Sequence, residues 1–352
     1  MRSATLVARG LCDLTRNSNW VTKKLFEGRS SQVAFSSTGQ VCAIAPPPAA
    51  PDLLLYDIEG NQAVQTLAVP SAGLTPSADG RAAFAFSPTA RHIVAASTAW
   101  QSRLHILDCR NNTLLGAFGH FSALPRWLAW SNTEKYLAMA TADAKSSVVR
   151  LWQATENPVI FAGEPLSTTG ASASMERQTY EAEFGDEGAF SGYGCTVFGP
   201  DDKSLATVVE FKGDWADDSI LLISVPSLEK QNAHSARGHI TDLTWTPDSN
   251  QIVYCASGQA YRLAINTNDA EELPFGAEMC AHHPELPLCV CFSSWVKGSS
   301  QGRLFLVDMN RLSVYDEREA EDIGDLRWSL DGTKAFAIAR DGIAYVYEPS
   351  VI

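Results

Sequence analysis

Six stretches of the chain repeat one pattern: an alternating apolar run ending in an aromatic, a short polar turn, and a second apolar run. They are QVAFSSTGQVCAIA, FAFSPTARHIVAA, WLAWSNTEKYLAMA, CTVFGPDDKSLATV, LTWTPDSNQIVYC and LRWSLDGTKAFAIA. Alternation bounded by turn residues is the signature of a β-hairpin. No segment sustains the i, i+3, i+4, i+7 spacing of an amphipathic helix, so the chain reads as all-β.

The aromatics that end the first runs are Phe35, Phe86, Trp130, Phe198, Trp245 and Trp328, at separations of 51, 44, 68, 47 and 83 residues. The last separation is nearly two periods, which places a seventh hairpin between Trp245 and Trp328. AHHPELPLCVC, from Ala281, falls there, and His282 in the aromatic column divides the gap into 37 and 46. A third apolar run follows each hairpin: DLLLYD, RLHILD, VVRLWQ, SILLIS, AYRLAI, RLFLVD and IAYVYE. Four short strands every 40 to 45 residues or so predict a β-propeller.

The third runs resemble the strand ending in Trp-Asp that marks the WD40 family. The third unit is the closest match, with Gly119-His120, then Thr141 and Asp143, then Trp152. The resemblance covers about residues 20–352 and implies a buried hydrogen-bond tetrad of His120, Thr141, Asp143 and Trp152. It departs from the family elsewhere: Gly238-His239 opens the fifth unit without the Asp or the Trp. The Arg-Arg pair of lipid-binding propellers is also missing.

The last unit ends at IAYVYEPSVI, straight after its third strand, and VTKKLFEG lies just before the first hairpin. We therefore expect seven four-stranded antiparallel blades in one domain, 21–352, with the N-terminal strand completing the last blade and closing the ring. Residues 1–20 form an extension carrying Arg2, Arg9 and Arg16, a composition that presequences share.

The segment around AHHPELPLCVC concentrates metal-ligand types: Cys280, His282, His283, Cys289 and Cys291. Alignment of the units turns this into a packing argument. Cys280 shares its column with Val33, Phe84, Leu128, Thr196, Leu243 and Leu326, while Cys289 and Cys291 fall in columns dominated by Ile, Leu and Ala. Free cysteine serves as a small buried hydrophobe, so three such positions need no metal. His283 occupies a Ser or Thr column at the turn.

Nucleotide-binding loops and H-E-x-x-H are missing from the sequence. Asp242, Glu278 and Asp325 start the inner strands of units five to seven, where adjacent carboxylates are a possible divalent-cation set. Other units offer Gln32, Ala83 and Trp127 there, which favours plain residues of a channel mouth. A metal-dependent propeller hydrolase or lactonase built on that set is the alternative reading, and a small ligand in the channel is a third.

Trp100, Trp215 and Trp295 fall between the second and third strands of units two, four and six. In the family those b–c loops share a face with the connections from strand d to the next strand a. A long connection at about 164–192 carries Glu164, Glu176, Glu181, Glu183, Asp186 and Glu187 against Arg177 alone, and Asp214, Asp217 and Asp218 flank Trp215. An acidic face bearing rigid aromatics suits a basic protein segment.

The expected function is that of a non-enzymatic, cytoplasmic scaffold or adaptor that binds protein partners through this face, with no cofactor. A net charge of -13 from 27 Lys+Arg against 40 Asp+Glu opposes nucleic acid and anionic membrane as partners. Runs long enough to span a bilayer are missing.

Overall fold

The computed structural model describes residues 20–24, 32–36, 41–45, 52–57, 62–68, 84–97, 103–111, 113–118, 125–142, 147–154, 179–183, 190–211, 217–294, 302–320, 322–341 and 343–348. Every regular element in them is a β-strand, and the strands form four-stranded antiparallel sheets, the blades of a β-propeller.

The chain opens with β1 (Trp20–Lys24). Unit one follows as β2 (Gln32–Phe35), β3 (Val41–Ala45), β4 (Asp52–Asp57) and β5 (Gln62–Ala68). Unit two is β6 (Phe84–Phe86), β7 (His92–Ser97), β8 (Arg103–Asp108) and β9 (Thr113–Phe118). Unit three is β10 (Pro125–Trp130), β11 (Tyr136–Ala142), β12 (Ser147–Gln153) and β13 (Thr179–Glu183). Unit four is β14 (Phe190–Phe198), β15 (Ser204–Phe211), β16 (Ser219–Ser224) and β17 (Lys230–Ser235). Unit five is β18 (Ile240–Trp245), β19 (Gln251–Ala256), β20 (Gln259–Ala264) and β21 (Asp269–Glu272). Unit six is β22 (Met279–His282), β23 (Leu288–Ser293), β24 (Gly302–Asp308) and β25 (Ser313–Ala320). The chain ends in β26 (Ile323–Trp328), β27 (Ala335–Ala339) and β28 (Ile343–Tyr347). These last three strands take β1 as their fourth, with Trp20 opposite Tyr347 and Lys24 opposite Ile343. The rings of Trp20 and Tyr347 pack at 5.1 Å across that pairing.

The inner hairpins share one register, which follows the sequence columns. Phe35 faces Cys42, Phe86 faces Ile93, Trp130 faces Leu137, Phe198 faces Leu205, Trp245 faces Ile252, His282 faces Cys289 and Trp328 faces Ala335. A register slip of one residue would send each apolar set to the other side of its sheet, so the shared column reports shared burial. Along β24 the alternation is plain. Leu304 and Leu306 pack with the last unit, whereas Phe305 and Val307 pack with the fifth. The sheet of unit six is thus buried on two sides by its neighbours, and its b strand reads as an almost continuous apolar run.

Tryptophans in the aromatic column also link neighbouring units. The indole of Trp130 donates to Ala85 O at 3.2 Å, Trp245 to Val197 O at 3.3 Å and Trp328 to Ala281 O at 3.1 Å. Each acceptor directly precedes the column residue of the preceding unit, which is Phe86, Phe198 or His282.

One expectation is corrected. The stretch 164–192 is not a simple d-to-a connection, because β13 within it is the outer strand of unit three and pairs with β12, Arg150 lying opposite Glu181 and Val148 opposite Glu183. β14 already begins at Phe190. Any excess length therefore lies largely between strands c and d of that unit.

Candidate functional site

The a–b turns are built on a recurring device. In units two, three, five and seven a buried hydroxyl at the turn's start, Ser87, Ser131, Thr246 or Ser329, accepts the amide five residues on, at or just before the start of the next strand, at 2.9 to 3.2 Å. In unit six the residue in that column is His283, whose ring caps amides inside the turn, while the amide that opens β23 donates to Leu286 O. Nδ1 accepts the amides of Glu285 at 3.0 Å and Leu286 at 2.8 Å, and Nε2 donates to Gly332 O, 3.0 Å away in the next unit. Two amides aimed at Nδ1 place the proton on Nε2.

The ring also lies edge-on to Trp328 at 4.6 Å. Burial pushes the His283 imidazole down to about 4, partly offset by its bond to Gly332. His282, half-buried, donates from Nδ1 to His283 O at 2.9 Å, and burial lowers its pKa as well. Cys280, Cys289 and Cys291 are fully enclosed core residues between units five and six. Both histidines are accounted for by turn geometry, and no three His, Cys, Asp or Glu side chains among the described residues are grouped to hold a metal.

At the channel mouth a bulge in the inner strand sets Trp127, Asp242 and Asp325 at equivalent positions. Asp242 accepts the amide of Cys280 at 3.0 Å and the thiol of Cys195 at 3.1 Å, so it ties units four, five and six together. Asp325 is held by Arg327 at 3.1 Å, and Glu278 accepts the Ser294 hydroxyl. The structure brings the three carboxylates to neighbouring inner strands but gives each a partner within the protein.

In unit four the end of the b–c loop meets the d–a connection that follows. Asp217 accepts the amide of Gly238 at 2.7 Å, while Asp218 accepts those of Ile240 at 2.7 Å and the His239 ring at 2.9 Å. The loop before β16 is thereby bolted to the connection before β18. Asp218 is 2% exposed, so it braces this junction and does not present a charge on it. Asp217 is exposed at the surface. Trp100, Trp215, Trp295 and Asp214 lie outside the described residues, as do His120 and Asp143 of the tetrad. Trp152 is buried, and Thr141 pairs with Pro125 and Val148 in its sheet. Glu181 and Glu183 sit on the outer strand of unit three and not in a face loop.

Sequence reasoning missed a groove of about 720 Å³ between units five and six, lined by Gly258, Phe275, Glu278, Arg303, Val314 and Glu317 among others. Its cause is a mismatch of outer strands, since β21 has four residues and β25 has eight. Beyond β21 the chain stays tied to β20 through the amide of Leu273, which donates to Ala260 O at 2.9 Å, and the Gln259 side-chain amide adds bonds to Leu273 O and Phe275 O. Phe275 then packs edge-on against Phe305 at 5.8 Å. The only sequence signal for this was the brevity and acidity of DAEE.

No family model matches the chain, and no curated protein matches it. Among solved structures it is similar to Kuenenia stuttgartiensis hydrazine synthase, with a TM-score of 0.68 at 12% identity, covering 94% of this chain and 98% of that one. At that identity the likeness concerns the β-propeller fold alone.

Proposed function

We propose that this protein is a seven-bladed, WD40-like scaffold or adaptor, cytoplasmic and non-enzymatic, that holds protein partners on the face formed by its b–c and d–a loops. The pairing of β1 with β28 and the sequential contacts of inner strands, from β2 with β6 round to β26 with β2, support a closed ring. Closure by an N-terminal strand removes free edges at the seam.

The observation that carries the binding reading is the bracing of the loop face by Asp217 and Asp218. Two buried or half-buried backbone amides are satisfied by carboxylates there, which makes a pre-organised surface from what would otherwise be separate loops. The engagement of Asp242, Glu278 and Asp325 by protein groups favours this reading over channel-mouth chemistry.

The test is affinity purification of the full chain with quantitative mass spectrometry, beside a variant in which Trp100, Trp215 and Trp295 are all alanine. A discrete partner set held by the parent and depleted in the variant is expected. A parent protein that purifies with no stoichiometric partner rejects the scaffold, and an undiminished partner set in the folded variant rejects the tryptophans as its anchors.

A further inference from the structure

We infer that the groove between units five and six is the docking site for an extended basic segment of a partner protein, with one large apolar side chain seated between Phe275 and Val314. This deepens the scaffold reading and rests on it.

Three observations carry the inference. The groove has an apolar floor and wall, because the face of unit six turned toward unit five continues past the short β21. Phe305 packs in the core shared with unit five, and Val314, opposite Val307 on β25, is 48% exposed. An exposed valine beside a phenylalanine pair is a place for an apolar anchor to gain buried area, about 25 cal/mol for each Å².

The rim is acidic. Glu278 and Glu317 line the groove, and its one guanidinium, Arg303, is already paired with Glu317 at 3.2 Å. The outer strand beside it, β21, adds exposed Asp269 and Glu272, while its Glu271 is paired with Arg262 of β20. Against a chain of net charge -13, an incoming cationic segment is favoured both in long-range encounter and at the rim.

The groove is also fixed in shape. Gln259 bonds to the carbonyls of Leu273 and Phe275, and Gly276 lies so close to Gly258 that a Cβ there would meet the Gly258 carbonyl at 2.7 Å. Its wall is therefore set by backbone contacts before any partner arrives.

The probe is a fluorescein-labelled lysine-rich peptide with a central phenylalanine, titrated against the full chain by fluorescence anisotropy at low and moderate salt. Controls are the same peptide with alanine for phenylalanine and an acidic peptide that keeps the phenylalanine. Saturable, salt-sensitive binding of the first peptide is expected, with at least tenfold weaker binding of each control. V314K and E317K, both surface changes, should each weaken binding at least tenfold with unchanged thermal melting, whereas E229K on the opposite face should not.

No binding of the first peptide, equal binding of its alanine form, or equal losses in E317K and E229K would each overturn the groove assignment. If the groove variants bind normally while the triple tryptophan variant does not, the site is on the loop face instead. The scaffold reading then survives, because its own test is the recovery of partners by the full chain.

Discussion

His283 joins two successive a–b turns: its Nδ1 closes its own turn while its Nε2 reaches Gly332 O at 3.0 Å. A serine in the same column closes only its own turn, as Ser329 does at the next one. The imidazole has thus added an inter-blade link to a local cap.

Acid should weaken that link. Burial holds His283 at about 4, below the 6.5 of a free imidazole, so between those values the unfolded chain takes the proton and the folded chain does not. Its contribution is complete above about pH 6.5 and is lost as pH falls toward 4. The loss amounts to about 3.5 kcal/mol at most, at about 1.4 kcal/mol per pKa unit. His282, His92 and His234 shift in the same direction, also through burial, and widen the effect. Thermal melting from pH 7.5 to 4.5 should show a steeper decline for the parent than for H283S. Parallel declines would mean that His283 does not carry this term.

Substitution separates the two roles of the ring. H283S keeps an acceptor for the turn and should cost about 1–2 kcal/mol, while H283A leaves both amides unmet and should cost at least about 1 kcal/mol more. Gly332 has a φ of +68°, and a Cβ on it would lie 2.4 Å from the His283 ring. G332A should therefore be more damaging in the parent than in H283S, and a double-mutant cycle with urea denaturation measures the difference.

Asp202 closes a gap between turns in the same way with a carboxylate. It accepts the amides of Asn132 at 2.7 Å and Thr133 at 2.9 Å, together with their side chains, and is 8% exposed. D202A should cost about 2–4 kcal/mol, since it strands several donors that had a charged partner. Its φ of +56° is one that Asp tolerates, so D202N should recover part of the loss.

Removal of one indole donor should be mild. Phenylalanine fills the same column in units one, two and four, so W328F should fold and cost about 1 kcal/mol for the lost bond to Ala281 O. W328A should cost about 3–5 kcal/mol because it leaves a cavity between two units. Melting of the two variants distinguishes them.

The buried thiols should be inert in the native state. Cys195, Cys255, Cys280, Cys289 and Cys291 are buried and form no disulfide, and burial raises the pKa of Cys255. Iodoacetamide at pH 8 followed by peptide mass spectrometry should find these five unmodified until denaturant is added. Native labelling of any of them would show that units five and six open readily.

The parts of the fold that could be read from sequence are those that water never reaches. In β19, β23 and β27 nearly every residue is buried, so composition and register were both visible, down to His282 in the aromatic column. Outer strands have no such signature. β17 and β21 are largely exposed, and TYEAE of β13 looked like part of a long acidic connection. A strand paired on only one edge and facing solvent carries polar side chains, which makes it hard to tell from a loop.

By itself the sequence determined the all-β class, the four-strand repeat and the hairpin register, because burial imposes a period-2 pattern that composition records directly. The tertiary structure decided what the polar residues do. It assigned His283 to a neighbour's turn, turned Asp218 inward as a brace, gave Asp242 to Cys195 and Cys280, and opened a groove where one outer strand stops short of the next. Those outcomes depend on distances between residues remote in the chain, which no local pattern encodes.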